Sequence, residues 1–195
     1  MLDKFYLFIR KITIPSVFAI VFLLVTYFLQ TALIGSPLNL ILGIFFLGIL
    51  PMLGYPLQKY IPYFKDKGRD GQRYLAMIFS AAGYLLGILS AFLTNAPSAL
   101  LAVYTEYLLC GIAILVVNKL FHLKASGHSC GISGPVLLFL YFKMYLSAII
   151  GTIFIIPVIV SSIKTKRHTA KQLFGGIAIA FCCMVIVSLI FGMPA

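Results

Sequence analysis

Two histidines set in short polar stretches are the residues of this chain best suited to chemistry. His128 lies in Lys124-Ala125-Ser126-Gly127-His128-Ser129-Cys130-Gly131, and His168 in Lys164-Thr165-Lys166-Arg167-His168-Thr169-Ala170-Lys171-Gln172. A third polar stretch, residues 64–73, carries Lys65, Lys67, Arg69 and Arg73. Imidazole can act as nucleophile or as proton donor near neutral pH. Fixed cations at Arg69, Arg73, Lys124 and Arg167 suit the equatorial oxygens of a transferring phosphoryl group. Helices beginning near Ser129 and Gln172 would aim backbone amides at the same anion. Such a set describes phosphoryl transfer without a metal, since the four cysteines show no metal-ligand spacing. A plainer reading competes with it, because Lys and Arg beside membrane helices ordinarily mark topology and a loop histidine is ordinarily solvated. The recurrence of basic, His-bearing stretches on one expected face argues for chemistry.

The rest of the chain is mostly hydrocarbon. Of 195 residues, 62% are hydrophobic and 10% charged, with a mean hydropathy of +1.10; soluble domains carry about 25% charged residues. In a bilayer core every backbone amide must be bonded within its own segment or in a closed barrel, and long unbroken apolar runs fit helices rather than alternating strands. The expected fold is all-α: one domain, residues 1–195, forming a polytopic integral membrane helical bundle of about six to seven transmembrane helices. A net charge of +11 would suit nucleic acid, but the cations sit in short loops between apolar runs, so bilayer phosphates are the expected anions.

The runs place these stretches together. Residues 12–34 form a first span, too long for a signal-peptide core and lacking a small-x-small cleavage site. After Gly35-Ser36-Pro37, residues 38–55 return, with Pro51 and Gly54 expected to kink the end. Residues 74–93 and 97–121 make a second pair, with Pro97 early in its helix and Ser80, Ala81, Ala82, Gly83 and Gly87 allowing close packing. Residues 132–163 exceed one ordinary span of roughly 20 residues and read as two short helices meeting near Lys143. Residues 173–193 close the chain.

With that alternation, every Lys and Arg except Lys143 falls on one face, including Lys4, Arg10, Lys11 and Lys59. The positive-inside rule puts that face in the cytoplasm. Among the cysteines only Cys130 sits in a polar stretch, which makes it the expected reporter of sidedness. Glu106 lies inside an apolar span, either as a functional group or as a protonated acid bonded to a neighbouring Tyr or Thr. Lys143 is expected to snorkel to the far headgroup layer.

The stretches around the two histidines resemble motifs of the type-2 phosphatidic acid phosphatases, or lipid phosphate phosphatases, commonly written KxxxxxxRP, PSGH and SRxxxxxHxxxD. Ala125-Ser126-Gly127-His128 is similar to the second, with Ala125 in place of Pro. In the third, Ser161 and His168 match, Gly175 and Gly176 follow where members often have glycine, and Ser162 and Gln172 replace Arg and Asp. Arg73 matches the first only with Tyr74 for Pro and Asp66 for Lys. Divergent prokaryotic members, with Lys-x-Ser-x-His and Arg-His-Thr-x-x-Gln, are closer. The motif-bearing core is residues 64–176.

The resemblance implies His168 as the nucleophile that forms a phosphohistidine and His128 as the proton donor to the leaving group. It implies that Ser126, the Gly127 amide, Lys124, Arg69, Arg73 and Arg167 hold phosphate oxygens, with Arg167 or Lys164 covering for the Arg replaced by Ser162. Gln172 would orient the other ring nitrogen of His168, although an amide cannot stabilise imidazolium as Asp does. No metal and no cofactor is implied. The implied function is a multi-pass lipid phosphatase of a prokaryotic cytoplasmic membrane, hydrolysing a lipid phosphate or a polyprenyl diphosphate. Two alternatives stand beside it. One is a phosphotransferase on the same scaffold; the other is a non-catalytic lipid-binding or transport protein, favoured by Ser162, Tyr74 and Gln172.

Overall fold

The computed structural model describes residue 6 and residues 13–194. Lys4, Arg10, Lys11 and the start of the first expected span lie outside the described residues. Within them the chain is all-α, with five helices long and apolar enough to cross a membrane. The elements are α1 (Pro15–Leu29), α2 (Thr31–Ile34), α3 (Pro37–Tyr60), α4 (Pro62–Lys65), α5 (Gly68–Leu93), α6 (Ser98–Lys119), α7 (Gly127–Tyr141), α8 (Tyr145–Lys164) and α9 (Ala170–Phe191). Side chains on the outward faces are large and apolar, as at Phe28, Leu93, Leu146 and Leu189. So continuous an apolar exterior requires lipid rather than water around it.

Several boundaries differ from those read in the sequence, each for a local reason. The first apolar run breaks at Gln30, so α1 has 15 residues, about 22 Å of helix. In α3 the irregularity precedes Pro51. Proline has no N–H to donate and its ring crowds the carbonyl four residues back, and the turn before it, Ile44–Ile49, is π-helical. Pro97 caps α6 from outside the helix instead of starting it. Residues 64–73, read as a loop, are mostly helical: α4 forms an elbow and α5 starts at Gly68, which puts Arg69 and Arg73 on its first turns. On the elbow Lys67 Nζ lies 3.3 Å from the Tyr63 ring centroid, and hydrogen bonding and attraction from that ammonium lower the Tyr63 pKa. The break near Lys143 is as expected, with α7 and α8 separated by residues 142–144 and Lys143 left-handed at φ 59°.

Packing follows from lipid as solvent. Apolar burial gives little drive between helices in hydrocarbon, so close approach and shape decide. Two of the small residues of α5 serve this purpose. A Cβ at Gly83 would overlap the Phe46 carbonyl, and one at Gly87 the ring of Tyr104. Ala81, by contrast, is exposed. Tyr104, Phe22, Leu23 and Leu138 are fully buried in the main core, where the Phe22 and Phe139 ring centroids stand 4.9 Å apart. A smaller cluster of Cys110, Cys130, Ala180 and Cys183 joins α6, α7 and α9. Cys130 is therefore 2% exposed within α7 and not on an open loop.

Helices α7 and α9 run in the same direction. Their first turns are bonded together, and at the other end the Tyr141 hydroxyl donates to the Gly192 carbonyl at 2.6 Å. α8, packed on α7, runs back in the opposite direction and connects them, so the turn bearing His168 comes back to the face where His128 lies.

Candidate active site

Each site helix is started by its own sequence. Ser126 is the N-cap of α7, with extended backbone and a side-chain oxygen that accepts the Ser129 N–H at 3.3 Å. Thr169 is the N-cap of α9 and forms a capping box with Gln172. A hydroxyl N-cap stabilises a helix by roughly 1 kcal/mol relative to alanine. Both helices begin two residues earlier than the sequence suggested, because these caps precede the apolar runs.

The two starts are joined directly. The Ser126 amide donates to the Gln172 carbonyl at 2.9 Å, and the Ser129 hydroxyl donates to the Leu173 carbonyl at 2.8 Å. Glycine at 176 permits this approach. A Cβ there would stand 3.0 Å from the Cys130 amide nitrogen and closer still to the Ser126 carbonyl and the Ser129 hydroxyl. On the far side of the connection, Asn118 Nδ2 donates to the Ala125 carbonyl at 3.0 Å. α7 is thus pinned at its head to both α6 and α9.

His168 precedes the cap of α9, and its Nδ1 lies 3.3 Å from Gln172 Oε1. That oxygen also accepts the Thr169 N–H at 3.2 Å, which fixes which end of the amide faces the ring. Oε1 is an acceptor, so Nδ1 is the nitrogen that carries a proton towards it, and in the neutral ring Nε2 is then the unprotonated one. Gln172 therefore selects the tautomer that a nucleophilic Nε2 requires. The turn ahead of it is compact. The Arg167 and His168 amides donate to the Ser162 carbonyl at 3.1 and 3.4 Å, and Ser161 and Ser162 are fully buried. At position 162 a small residue fits the enclosed end of α8.

The expected site residues divide into three groups. Ser126, Gly127, His128, His168 and Gln172 lie at the paired helix heads, with both histidines half-buried and His128 Nε2 itself enclosed. Lys124 and Arg167 flank them in sequence and are exposed. Arg69 and Arg73 are also exposed, but they stand on α5, which packs on α3 and α6. Next to Arg73, the Tyr74 ring lies 5.6 Å from Lys119 Nζ at the end of α6. Ser126 departs from its expected role. It is 0% exposed and its oxygen holds the α7 cap, so it positions the helix and does not offer an open hydroxyl to phosphate. Gly127 is exposed at the first helical position, where an amide has no acceptor inside its own helix.

Sequence reasoning did not pick out Asn118 or Ser129. The Thr-x-x-Gln pattern at 169–172 before an apolar run was readable as a capping box; nothing local marks Asn118.

No family model, curated protein or solved structure matches the chain. The geometry of the helix heads is what bears on function. Two parallel helices present their positive ends side by side, a histidine stands at each, and exposed cations surround them. Such an arrangement attracts an anion.

Proposed function

We propose that the chain is an integral-membrane phosphatase that removes phosphate from a lipid phosphate or a polyprenyl diphosphate through a phosphohistidine at His168. The observation that supports the reading is the bonded pair of helix heads, one bearing His128 on its first turn and the other preceded by His168, whose Nδ1 faces Gln172 Oε1. In the first step Nε2 of His168 forms a bond to phosphorus while the bond to the leaving oxygen breaks, and His128 gives that oxygen its proton. In the second, His128 takes a proton from water, the water oxygen bonds to phosphorus, and the P–N bond breaks to release inorganic phosphate. Lys124, Arg167 and the Gly127 amide supply fixed positive charge to the oxygens in both steps.

A lipid substrate is supported by an apolar groove of about 470 Å³ lined by Ile14, Ile49, Met52, Leu53, Tyr55 and Pro56. It adjoins Pro15, which lies so close to Gly131 that a Cβ there would sit 2.7 Å from Pro15 Cβ. Gly131 follows His128 by one helical turn, so a hydrocarbon tail in the groove would leave its phosphate near the histidines. We place the enzyme in a prokaryotic cytoplasmic membrane, with the basic face towards the cytoplasm.

The test is phosphate release by the purified full chain from phosphatidate, phosphatidylglycerol phosphate, undecaprenyl diphosphate and phosphorylated lipid A, without any acceptor alcohol. Release from at least one, lost in His168→Ala, is expected. No release from any of them, or undiminished release by His168→Ala, would overturn the proposal.

A further inference from the structure

Arg69 and Arg73, which the proposed histidine chemistry leaves unused, head an exposed ridge. Arg69, Arg73, Met77, Ala81, Leu85 and Leu89 follow one another at four-residue spacing along α5, and all of them are exposed. Side chains four apart on a helix are neighbours, about 5–6 Å between Cβ atoms, and form one continuous row. The row therefore carries two adjacent guanidiniums at its top and only apolar side chains below. Leu85 stands three such steps beyond Arg73, about 18 Å of helix, which is close to the roughly 15 Å hydrocarbon depth of one leaflet.

The ground in front of these arginines is basic and held in a fixed shape. Residues 59–73 set Lys59, Lys65, Lys67, Arg69 and Arg73 against Asp66 and Asp70, an excess of three positive charges. Gln58, buried at the end of α3, donates its side-chain amide to the Phe64 carbonyl at 2.6 Å and to the Gly68 carbonyl at 3.1 Å. A Cβ at Gly71 would stand 2.8 Å from that same Phe64 carbonyl, so α4 lies close on the first turn of α5. Tyr63 and Tyr74 are exposed on either side, with Lys67 and Lys119 Nζ lying 3.3 and 5.6 Å from their ring centroids. Tyr beside Lys is a composition suited to the headgroup layer. Topology alone asks only for charge on this side of the membrane; it does not ask for the cations to be locked to a helix end by a buried amide.

We propose that this ridge seats one anionic phospholipid of the surrounding bilayer, with its phosphate held by Arg69 and Arg73 and an acyl chain along Met77, Ala81 and Leu85. α3 and α5 are both long and apolar enough to cross the membrane, and only residues 61–67 join them. The elbow is thereby kept in the headgroup layer, where lipid phosphates are the anions it meets. Each guanidinium is a planar fork that can bond two phosphate oxygens at once. Asp70 stands on the first turn of α5, where the helix dipole favours it, and the excess charge around it remains positive. A free phosphate would meet the same arginines but gain nothing from the apolar row beneath them. The seat uses none of the residues assigned to catalysis, and it stands whether or not His168 is a nucleophile.

Native mass spectrometry of the full chain released from nanodiscs of equal phosphatidylglycerol and phosphatidylcholine should show phosphatidylglycerol retained in preference. At low salt the preference should fall by about fivefold for each arginine lost in Arg69→Gln and Arg73→Gln. The pair Lys166→Gln and Lys171→Gln removes the same charge from exposed positions beside His168 and should leave the preference near wild type, as should His168→Ala. Added inorganic phosphate, at matched ionic strength, should not displace the lipid. Equal retention of the two lipids by wild type, an equal loss in the lysine pair, loss in His168→Ala, or displacement by inorganic phosphate would each overturn the proposal.

Discussion

The Ser126 amide and the Gln172 carbonyl, far apart in sequence, are joined by a 2.9 Å hydrogen bond. One end of it belongs to the cap of the helix that carries His128, and the other to the residue that orients His168. The bond makes the spacing of the two imidazoles a property of helix packing, not of loop conformation. Anything that separates α7 from α9 at this point should therefore disturb both histidines together.

Glycine 176 gives the sharpest test of that dependence. An added Cβ would meet backbone on α7, which cannot rotate away, and overpacking of this kind costs roughly 1–3 kcal/mol. Gly175→Ala would only reach ordinary contact, 3.5 Å from Ala125 Cβ. Thermal denaturation in detergent should show Gly176→Ala melting well below Gly175→Ala, and phosphate release should fall in the same order. Equal behaviour of the two variants would mean that the helix heads are not tightly coupled.

The amide of Gln172 should matter through its oxygen. Gln172→Leu removes the acceptor for both the Thr169 N–H and His168 Nδ1, freeing the ring to protonate Nε2 in place of Nδ1. Turnover is expected to fall by about 10²-fold or more, with the KM changed far less than kcat. Gln172→Glu keeps an acceptor in the same place and should retain most of the activity. Nitrogen-15 spectra of the imidazole would check the cause directly, because the Nδ1–H tautomer should dominate in wild type and lose its dominance in Gln172→Leu.

The two histidines should separate by leaving group. With phosphatidate the leaving oxygen is a poor one and needs the proton of His128, so His128→Ala should cost about 10²–10⁴-fold. With undecaprenyl diphosphate a phosphate leaves and the same substitution should cost much less. His168→Ala should abolish release from both substrates while the melting temperature stays near wild type, since its ring is only half-buried. Quenching in base should preserve a phosphohistidine in wild type that brief acid treatment destroys, and none should form in His168→Ala.

The sequence carried the bundle and the face on which the polar stretches emerge, because hydrocarbon leaves the backbone few options and apolar runs report it directly. It also carried the break at Lys143, where a run too long for one span had to turn. It was less informative wherever long-range contact decided the outcome. The π-helical turn in α3 and the burial of Cys130 depend on what packs beside them, as does the use of Ser126 as a cap. Arg69 and Arg73 looked equivalent to Lys124 and Arg167 as charges in polar stretches. The structure sets the first two on a helix, α5, that packs on α3 and α6. Glu106 was open to two readings, a functional group or a protonated acid bonded to a Tyr or Thr, and its bonded partner is Cys110, one turn along the same helix.

The burial of Cys130 also changes how sidedness must be measured. A membrane-impermeant maleimide should not react with Cys130 from either side, because it is 2% exposed inside α7; the exposed cysteine, Cys182, lies mid-span in α9. Introduced cysteines are needed at positions outside the proposed phosphate contacts. Lys171 is exposed on the first turn of α9, on the face of the histidines, and Lys143 is exposed at the opposite turn between α7 and α8. If the basic face is cytoplasmic, as the positive-inside rule requires, Lys143→Cys should label in intact cells and Lys171→Cys only in inverted vesicles. The wild-type protein should label in neither preparation. The reverse pattern would place the histidines outside the cytoplasm and make the cations around them a feature of phosphate binding, not of topology.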